Sequence, residues 1–429
     1  MYYYGIPHIL QKQYLKREST MSEKDIMVGL DIGTTKIGVI VAEKDQFGGI
    51  KVLGVGTSPS DGMRRGVVIN IDKTVQSIKK AVEDAELMSG VEIRSVITGV
   101  AGDHIRSINS RGIVAVSRDH HEINQSDIER AIEAAQAVSL PLDQKIIHVL
   151  PQEFIVDDQD GVLDPVGMSG IRLEVEAHIV TGAVTSIENM YKSVERAGLH
   201  IQDIVLEPLA SSYAVICEDE RKMGVGLLDI GGGTTDIALF YEGSIRHTAV
   251  VALGGRNVTN DISIGLRTPP EQAEKIKVEY GCCYVGLLKE EEYITVPGVG
   301  GREPRKVSRT ILTRIIQPRM EEIYALALQK VKQSEYLNLL TSGIVITGGC
   351  SLLAGAVELA ESVFDMPVRI GVPQGITGVI DLAKNPMFAT CVGLIMYGYQ
   401  SQGGEDRGNG ESGKNTIHQR MKKWFAEFF

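Results

Sequence analysis

Along the first part of the chain, short apolar stretches alternate with segments whose apolar residues recur at helical spacing. The stretch "IMVGLDIGTTKIGVIV" predicts a strand, a turn and a strand, and a third strand follows to about Thr57. An amphipathic helix over "DKTVQSIKKAVEDAELMSG" and a strand over "RSVITGV" come next. Strands and helices that alternate in this way predict an α/β fold.

A segment from about residue 103 to 179 interrupts this pattern. Its helix, "QSDIERAIEAAQAVS", starts with an N-cap signal, and three stretches read as strands: "GIVAVS", "KIIHVLPQEFIV" and the alternating "IRLEVEAHIV". We interpret the segment as a small α/β insertion. A helix, a strand and a helix then lead the chain to its second half: "VTSIENMYKSVERAG", "IQDIVLE" and "PLASSYAVICEDE".

The chain contains an internal repeat. "DIGTTKIGVIV" starts at Asp31 and "DIGGGTTDIALF" starts at Asp229, and both lie between apolar stretches. Two copies about 200 residues apart predict two related domains. Each copy reads as strand, glycine turn, strand, whereas a Walker loop or a dinucleotide fingerprint opens a helix. Such turns present backbone N–H groups and hydroxyls to a phosphate, and an aspartate before the turn can hold Mg²⁺ through water.

The second half continues with a strand, a glycine turn and two helices, the longer from about Ser308 to Gln333. A third glycine turn, "TGGCSLLAG", then leads from a strand into a helix. Glycines there suit the face of an adenosine, where a side chain would collide. The three glycine turns therefore predict a nucleotide cleft between the two domains.

Composition narrows the functional classes. The 429 residues are 43% hydrophobic and 23% charged, with a net charge of −11, which disfavours nucleic acid as a partner. The five cysteines and nine histidines follow no disulfide or metal-ligand spacing. Because no apolar run approaches the ~20 residues that span a bilayer, we predict no membrane-spanning helix. Residues 1–20 read either as a mis-assigned start before Met21 or as an arm, and receive no role.

The stretch "KNTIHQRMKKWFAEFF" has the periodicity of an amphipathic helix. Its apolar face contains the only tryptophan, and basic residues fall mostly elsewhere, which is typical of an interfacial membrane anchor. The glycine-rich spacer "SQGGEDRGNGESG" argues against the alternative, a helix packed on the protein's own core. The predicted membrane residues are Ile417, Met421, Trp424, Phe425, Phe428 and Phe429, with Arg420, Lys422 and Lys423.

The glycine turns, with "VLEPLASSYA" between them and "VITGGCSLLAG" after them, resemble the actin, sugar kinase and Hsp70 superfamily. Within it, "HVLPQEFIVDDQDGVLDPVGMSGIRLEVEAHIVTG" and "GGRNVTNDISIGLRTPPEQAEKIKVEYGC" resemble the FtsA family of bacterial cell-division proteins. The resemblance implies an actin-like fold with subdomain 1C in place of actin's 1B. It also implies ATP and Mg²⁺, filaments of the chain itself, and a tether of the tubulin-like protein FtsZ to the cytoplasmic face of the inner membrane, where later division proteins are recruited.

Family positions carry over onto this sequence residue by residue. The first phosphate loop corresponds to Asp31, Gly33, Thr34 and Thr35, and the second to Asp229, Gly231, Gly232, Gly233 and Thr234. A turn after the third strand corresponds to Gly254 and Gly255, the ribose and adenine helix to Glu274 and Lys277, and the adenosine loop to Gly348, Gly349 and Ser351. Asp31 and Asp229 are the expected Mg²⁺ residues, each through water.

Two residues near the turns keep two interpretations each. Glu207 corresponds to a water-positioning acid in related ATPases, but an acidic residue ahead of Pro208 is also favoured by the helix dipole alone. Lys36 follows the first turn and can reach a phosphate, although strand alternation can equally direct it outward. Whether the chain hydrolyses ATP is left open, and any turnover is expected to be slow.

The basic run "GGREPRKVSR" reads either as a solvated loop or as a docking patch. The resemblance places it in subdomain 2B, where the C-terminal peptide of FtsZ docks, and the candidate residues are Arg302, Arg305, Lys306 and Arg309.

The predicted domains follow these boundaries: an N-terminal extension 1–25; domain 1A from 26–102, 180–206 and 386–399; subdomain 1C at 103–179; domain 2 at 207–385, with 2B at about 255–335; a linker 400–413; and a membrane-targeting helix 414–429. Three other members of the superfamily remain as alternatives. A sugar kinase needs a catalytic aspartate that no motif supplies, an Hsp70 continues into a peptide-binding domain, and a pilus-assembly ATP-binding protein does not need the aromatic tail.

Overall fold

The computed structural model describes residues 26–45, 48–116, 121–288, 292–298, 300 and 302–403. Its strands are β1 (Ile26–Ile32), β2 (Lys36–Lys44), β3 (Ile50–Pro59), β4 (Met63–Arg64), β5 (Val67–Val68), β6 (Ser95–Val100), β7 (Arg106–Ala115), β8 (Gln144–Val156), β9 (Gln159–Val162), β10 (Arg172–Ala183), β11 (His200–Leu206), β12 (Val225–Ile230), β13 (Thr235–Tyr241), β14 (Ser244–Val251), β15 (Tyr293–Val296), β16 (Arg305–Ser308), β17 (Ile344–Thr347), β18 (Val368–Ile370) and β19 (Ile376–Gly378).

The α-helices are α1 (Ile71–Ser89), α2 (Gln125–Gln136), α3 (Val184–Arg196), α4 (Glu207–Val215), α5 (Glu218–Met223), α6 (Gly255–Gly265), α7 (Pro270–Tyr280), α8 (Arg309–Gln333), α9 (Ala356–Phe364), α10 (Ile380–Ala383) and α11 (Ala389–Gly403). Short 3₁₀ turns cover Val285–Leu287, Leu337–Leu339, Gly349–Leu352 and Pro386–Phe388. No helix of the described residues is long and apolar enough to cross a membrane.

The internal repeat of the sequence reappears as a repeat of sheet topology. One sheet has the order β11-β6-β1-β2-β3-β19, and a second has the order β18-β17-β12-β13-β14. In both, three antiparallel strands form a meander, a fourth strand pairs in parallel with its first strand, and a fifth pairs in parallel with the fourth. One apolar core contains residues of the first sheet and of one face of the second sheet, and another core lies on the opposite face of the second sheet. The two predicted hairpins, β1–β2 and β12–β13, therefore occupy equivalent central positions in two related domains.

The predicted insertion forms a sheet of its own. Its strands have the order β7-β10-β8-β9, helix α2 packs on one face, and a separate apolar core lies between them. The helix starts where the sequence predicts, because the side chain of Asn124 accepts hydrogen bonds from the backbone N–H groups of Ser126 and Asp127.

The insertion also contacts β14 of the second domain through buried polar groups. His178 Nε2 lies 2.9 Å from Thr248 Oγ1, and Gln152 Nε2 donates to the carbonyl oxygen of Ile245 at 2.8 Å. Burial, with a contribution from His247, lowers the pKa of His178 to about 3, so the ring stays neutral. These bonds fix the insertion against the second domain.

Helix α11 crosses α4 at a glycine, and this contact supports a stability prediction. A Cβ built on Gly393 would overlap the carbonyl oxygen of Ala210. We expect Gly393→Ala to destabilise the protein by roughly 2 kcal/mol, because two helix backbones must separate. Thermal unfolding of Gly265→Ala is the control, since a Cβ there meets only the movable end of Ile315 and alanine favours a helix. Equal melting temperatures for the two variants would contradict the prediction.

Candidate functional site: a cleft formed by two glycine turns

The two hairpins direct their turns toward each other. Asp31 lies near the end of β1 and Asp229 near the end of β12, and each is followed by its glycine turn. A Cβ built on Gly233 would overlap the side chain of Thr34, and one built on Gly232 would overlap Thr35. The turns are therefore in direct contact, and only glycine allows this approach.

A cavity of about 120 Å³ lies where the turns converge. Most residues that the sequence predicts for the nucleotide line it: Asp31, Gly33, Thr34, Thr35, Lys36, Asp229, Gly231, Gly232, Gly233, Thr234, Gly348 and Gly349. Glu207 and Asp236 complete the acidic part of its wall. The structure thus brings residues from three glycine turns to one place.

Four carboxyl groups face this cavity, and burial raises the pKa of each. The pKa of Asp31 rises to about 6, with Lys36 opposing the rise and Asp229 adding to it. The pKa of Asp236 rises to about 7, to which Asp229 also contributes. The pKa of Glu207 lies well above its usual range, through burial and the charge of Asp31. Four acids that resist simultaneous ionisation form a site that a cation would stabilise.

Neighbouring hydroxyl groups orient two of the acids. Ser211 Oγ donates to Asp229 Oδ2 at 2.6 Å, and Thr390 Oγ1 lies 3.3 Å from the same oxygen. These bonds partly offset the burial that raises the pKa of Asp229. Thr234 Oγ1 donates to Asp236 Oδ2 at 2.9 Å, while Asp236 Oδ1 is buried without a partner in the described part of the chain.

This donor set fits Mg²⁺ held through water. Among the described residues no three His, Cys, Asp or Glu side chains converge to coordinate a metal directly. Mg²⁺ usually keeps several waters and takes its remaining ligands from phosphates and one or two carboxylates. The unpartnered oxygen of Asp236 can accept a hydrogen bond from such a water.

Glu207 is the first residue of α4, as predicted. Its side chain packs against β6, since a Cβ built on Gly99 would lie 2.7 Å from Glu207 Cγ. Its carboxyl lines the cavity beside Asp31 and Asp236. The position is compatible with the water-positioning role, which stays a prediction.

The side chain of Lys36 lines the cavity but is already engaged. Its ammonium donates to the carbonyl oxygen of Met387 at 2.5 Å and lies 4.1 Å from the ring centroid of Phe388. The charge of this ammonium also opposes the rise that burial causes in the pKa of Asp31 and of Asp229. A contact with phosphate requires this ammonium to share or exchange these partners.

Four of the predicted nucleotide residues support the second turn from behind rather than line the cavity. The N–H of Gly255 donates to the carbonyl oxygen of Gly231 at 2.9 Å, and Gly254 packs on Gly232. Lys277 Nζ donates to Glu274 Oε2 at 2.7 Å and to the carbonyl oxygen of Gly255 at 3.2 Å.

Two residues of the predicted adenosine loop line the cavity, and the third stabilises the loop through a hydrogen bond to its backbone. Gly348 and Gly349 line the cavity. The buried hydroxyl of Ser351 donates to the carbonyl oxygen of Gly348 at 2.7 Å and thus fixes the loop. Cys350 lies between this loop and the second turn, where its Sγ approaches the carbonyl oxygen of Gly231 at 3.7 Å.

Sequence reasoning missed three polar residues of the site: Asp236 and Thr390, which line the cavity, and Ser211, whose hydroxyl donates to Asp229. A signal existed for Asp236, because strand alternation places it on the same face as Thr234, two residues earlier. It also lies opposite Asp229 in the register of β12 and β13. Ser211 and Thr390 come from helices far apart in the sequence, and no local pattern identifies them.

Only two of the four residues of the predicted basic docking patch are exposed without a protein partner among the described residues that would compete with a peptide. Arg305 donates to the carbonyl oxygen of Leu266 at 2.8 Å, and Arg309 pairs with Glu292 at 2.6 Å. Arg302 and Lys306 are exposed beside them. The membrane residues predicted within 414–429, like residues 1–20, lie outside the described residues.

Comparisons with known proteins agree with the sheet topology and the insertion. The model of the cell division protein FtsA family matches residues 226–393, and that of the SHS2 domain inserted in FtsA matches residues 102–181. Two solved structures share the fold. The PilM–PilN type IV pilus biogenesis complex has a TM-score of 0.63 at 16% identity and covers 87% of this chain and 98% of that chain. MreB5 of Spiroplasma citri bound to ADP has a TM-score of 0.56 at 14% identity and covers 90% and 100%.

Sequence relatives are much more similar. The cell division protein FtsA of Pseudomonas aeruginosa is 49% identical over 407 residues, which cover 93% of this chain and 97% of the relative. FtsA of Escherichia coli strain K12 is 39% identical over 387 residues, which cover 89% and 92%. FtsA of Bacillus subtilis strain 168 is 42% identical over 377 residues, which cover 88% and 84%. The resemblance and the actin-like fold with its insertion are confirmed, and the chain belongs to the FtsA family of cell division proteins.

Proposed function

We propose that the chain binds ATP with Mg²⁺ in the cleft between its two domains, forms filaments with copies of itself, and tethers FtsZ to the cytoplasmic face of the inner membrane through residues 414–429. Later division proteins assemble on the same platform. In this proposal domain 1A comprises residues 26–102, 180–206 and 386–399, subdomain 1C residues 103–179, and domain 2 residues 207–385. Any ATP hydrolysis is slow.

One observation carries the nucleotide part: two glycine turns from related domains meet at a buried cluster of four acids. Glycine turns supply N–H groups without side chains in the way of a phosphate, and Mg²⁺ bound to that phosphate would compensate the acids. The third turn, at Gly348 and Gly349, supports a nucleotide rather than a bare phosphate. MreB5, which has the same fold, was solved with ADP.

The tether part rests on family membership and on the pattern of the tail. Lys306 on β16 and Arg302 shortly before it are exposed cations that an acidic group of an FtsZ peptide can contact. Filaments would place many tails on one membrane and so raise their combined affinity.

Co-sedimentation with anionic vesicles tests the adaptor. We expect FtsZ to pellet with vesicles only when this protein is present, and more completely with ATP than without nucleotide. FtsZ that pellets equally in the absence of the protein, or stays in the supernatant while the protein pellets, would contradict the tether. A filament assay by light scattering runs beside it, so that self-assembly and tethering are measured separately.

Asp31→Ala and Asp229→Ala are each expected to weaken Mg²⁺–ATP binding by roughly tenfold or more, since each removes a carboxylate that holds a metal-bound water. Calorimetric titration measures the affinity. Asp160→Ala, at an exposed position of β9, is the control. Circular dichroism of each variant, compared with the wild type, shows whether a lost affinity reflects unfolding. Unchanged affinity in both variants would make the site assignment wrong.

A further inference from the structure

A second cavity, of about 430 Å³, adjoins the nucleotide cavity between the two domains. Among the described residues that line it, three are arginines and none is acidic. Arg64 and Arg65 come from the first domain and Arg256 from the second. The other lining residues are Thr34, Met63, Ile69, Gly233, Asn257 and Asn260.

The backbone holds Arg65 in a constrained position. β4 and β5 are joined by Arg65 and Gly66 alone, with φ of 51° and 75°. Two left-handed residues form the tight hairpin turn in which asparagine or glycine is usual at the first position. A large side chain in this conformation is strained, and such strain concentrates at functional sites. The N–H of Gly66 donates to Thr34 Oγ1 at 3.0 Å and anchors the hairpin to the first phosphate turn.

Arg256 is anchored to the other phosphate turn. It is the second residue of α6, and its N–H donates to the carbonyl oxygen of Gly232 at 2.8 Å. The arginines therefore reach one cavity from both domains, each from a segment bonded to a phosphate turn.

None of the three guanidinium groups has a protein partner in the described part of the chain, and all three side chains are exposed. Some arginines elsewhere pair with acids, such as Arg319 with Asp261 at 2.6 Å and Arg369 with Glu220 at 2.6 Å. In a chain with a net charge of −11, three unpaired arginines around one cavity form a local positive potential. Guanidinium groups bind phosphate oxygens through two parallel hydrogen bonds, so the arrangement suits a phosphate-type oxyanion.

The two cavities share part of their walls. Thr34 and Gly233 line both, and these two residues are in contact across the cleft. A movement that separates the two turns would join the cavities. An anion that leaves the nucleotide cavity on this side therefore meets the arginines first.

We infer that the cavity around Arg64, Arg65 and Arg256 binds inorganic phosphate, the anion released when bound ATP is cleaved. The assignment of the phosphate's source rests on the proposed nucleotide function, but the site itself is defined by the arginines. A phosphate site at this place also implies that phosphate stays bound to the protein after ATP is cleaved.

Equilibrium dialysis with radiolabelled inorganic phosphate tests the site, on the full chain with and without Mg²⁺–ADP. We expect Arg65→Gly and Arg256→Gln each to weaken phosphate binding by roughly tenfold, the effect of one lost charge-assisted contact. Arg65→Gly removes the guanidinium at a φ that glycine prefers and so keeps the hairpin. Arg267→Gln, an exposed arginine after the far end of α6, is the matched control and should bind phosphate as the wild type does.

Parallel titrations with fluorescent ADP and with a non-hydrolysable ATP analogue separate this inference from the proposed function. Unchanged ADP affinity in the arginine variants, with weakened phosphate binding, is the expected result. If the analogue also binds more weakly, the oxyanion at the arginines is the γ-phosphate of the nucleotide and the oxyanion site stands. If wild-type protein binds no ADP, the proposed function falls, and dialysis without nucleotide still decides the site. Phosphate binding that is absent in the wild type, or equal in all variants, overturns the inference.

Discussion

Asp236→Asn is expected to stabilise the nucleotide-free protein at pH 8 and to leave its stability unchanged near pH 4. In the folded protein burial raises the pKa of Asp236 to about 7 from an ordinary value of 3.8, and Asp229 adds to the rise. A carboxyl whose folded pKa is raised binds its proton more tightly in the folded state. Its contribution to stability is fully present below pH 4 and is lost as the pH rises through about 7.

The expected gain follows from this shift. At pH 8 the wild type must keep Asp236 charged beside Asp229 and Asp31, whereas asparagine is neutral. A shift of one pKa unit corresponds to about 1.4 kcal/mol, so a gain on the order of 2 to 4 kcal/mol is expected. The asparagine oxygen can still accept the hydrogen bond that Thr234 Oγ1 donates at 2.9 Å. Thermal unfolding at several pH values measures the difference.

A control and a ligand make this prediction sharper. Asp160→Asn, at an exposed position of β9, should change the melting temperature little at either pH. Mg²⁺–ATP should stabilise the wild type more than Asp236→Asn, because the charged acids favour the metal. A melting temperature of Asp236→Asn that differs from the wild type equally at pH 4 and pH 8 would show that burial, and not charge, determines the effect.

The sequence predicted the elements that depend on local pattern. The hairpins at Asp31 and Asp229 and the helix that Asn124 caps each combine a turn or cap signal with a strand or helix period within a few residues. The repeat also predicted that two domains face each other. A pattern of a few residues is sufficient to predict a hairpin or a helix, because the hydrogen bonds within each join residues that are close in the chain.

Features that depend on distant segments were not predictable in this way. The contact between Gly233 and Thr34 joins residues about 200 positions apart, and the bond between Lys36 and Met387 joins residues 351 positions apart. Asp236 was missed although Thr234 shares its face, because its burial depends on how the second domain meets the first. The arginine cavity likewise exists only once β4–β5 and α6 lie side by side.

Truncation after Gly413 is expected to abolish vesicle binding and to leave nucleotide binding intact. From Ile417 the apolar residues Met421, Trp424 and Phe428 recur at helical spacing. A segment of ~15 residues is barely helical alone in water, so helix formation should accompany insertion into the interface. Residues 404–413, "GEDRGNGESG", follow α11 and contain no apolar residue, a composition that predicts a linker through which the segment would reach a membrane.

The energies favour a reversible anchor. Each large apolar side chain that enters the interface contributes roughly 1.5 to 3 kcal/mol, and each basic residue near anionic lipid contributes about 1 kcal/mol. The cost of ordering the helix and the charge of Glu427 reduce the total. We therefore expect a single tail to bind reversibly, and the many tails of one filament to bind together far more tightly.

Trp424 is the only tryptophan of the chain, so its fluorescence reports on this segment alone. We expect its emission to shift to the blue when anionic vesicles are added, and to shift less with neutral vesicles, since the basic residues Arg420, Lys422 and Lys423 then lose their attraction. Trp424→Glu should prevent co-sedimentation with vesicles, whereas Trp424→Phe, which keeps an aromatic side chain at that position, should retain it. An emission spectrum that vesicles do not change, together with co-sedimentation of the truncated protein at the wild-type level, would place the membrane contact elsewhere in the chain.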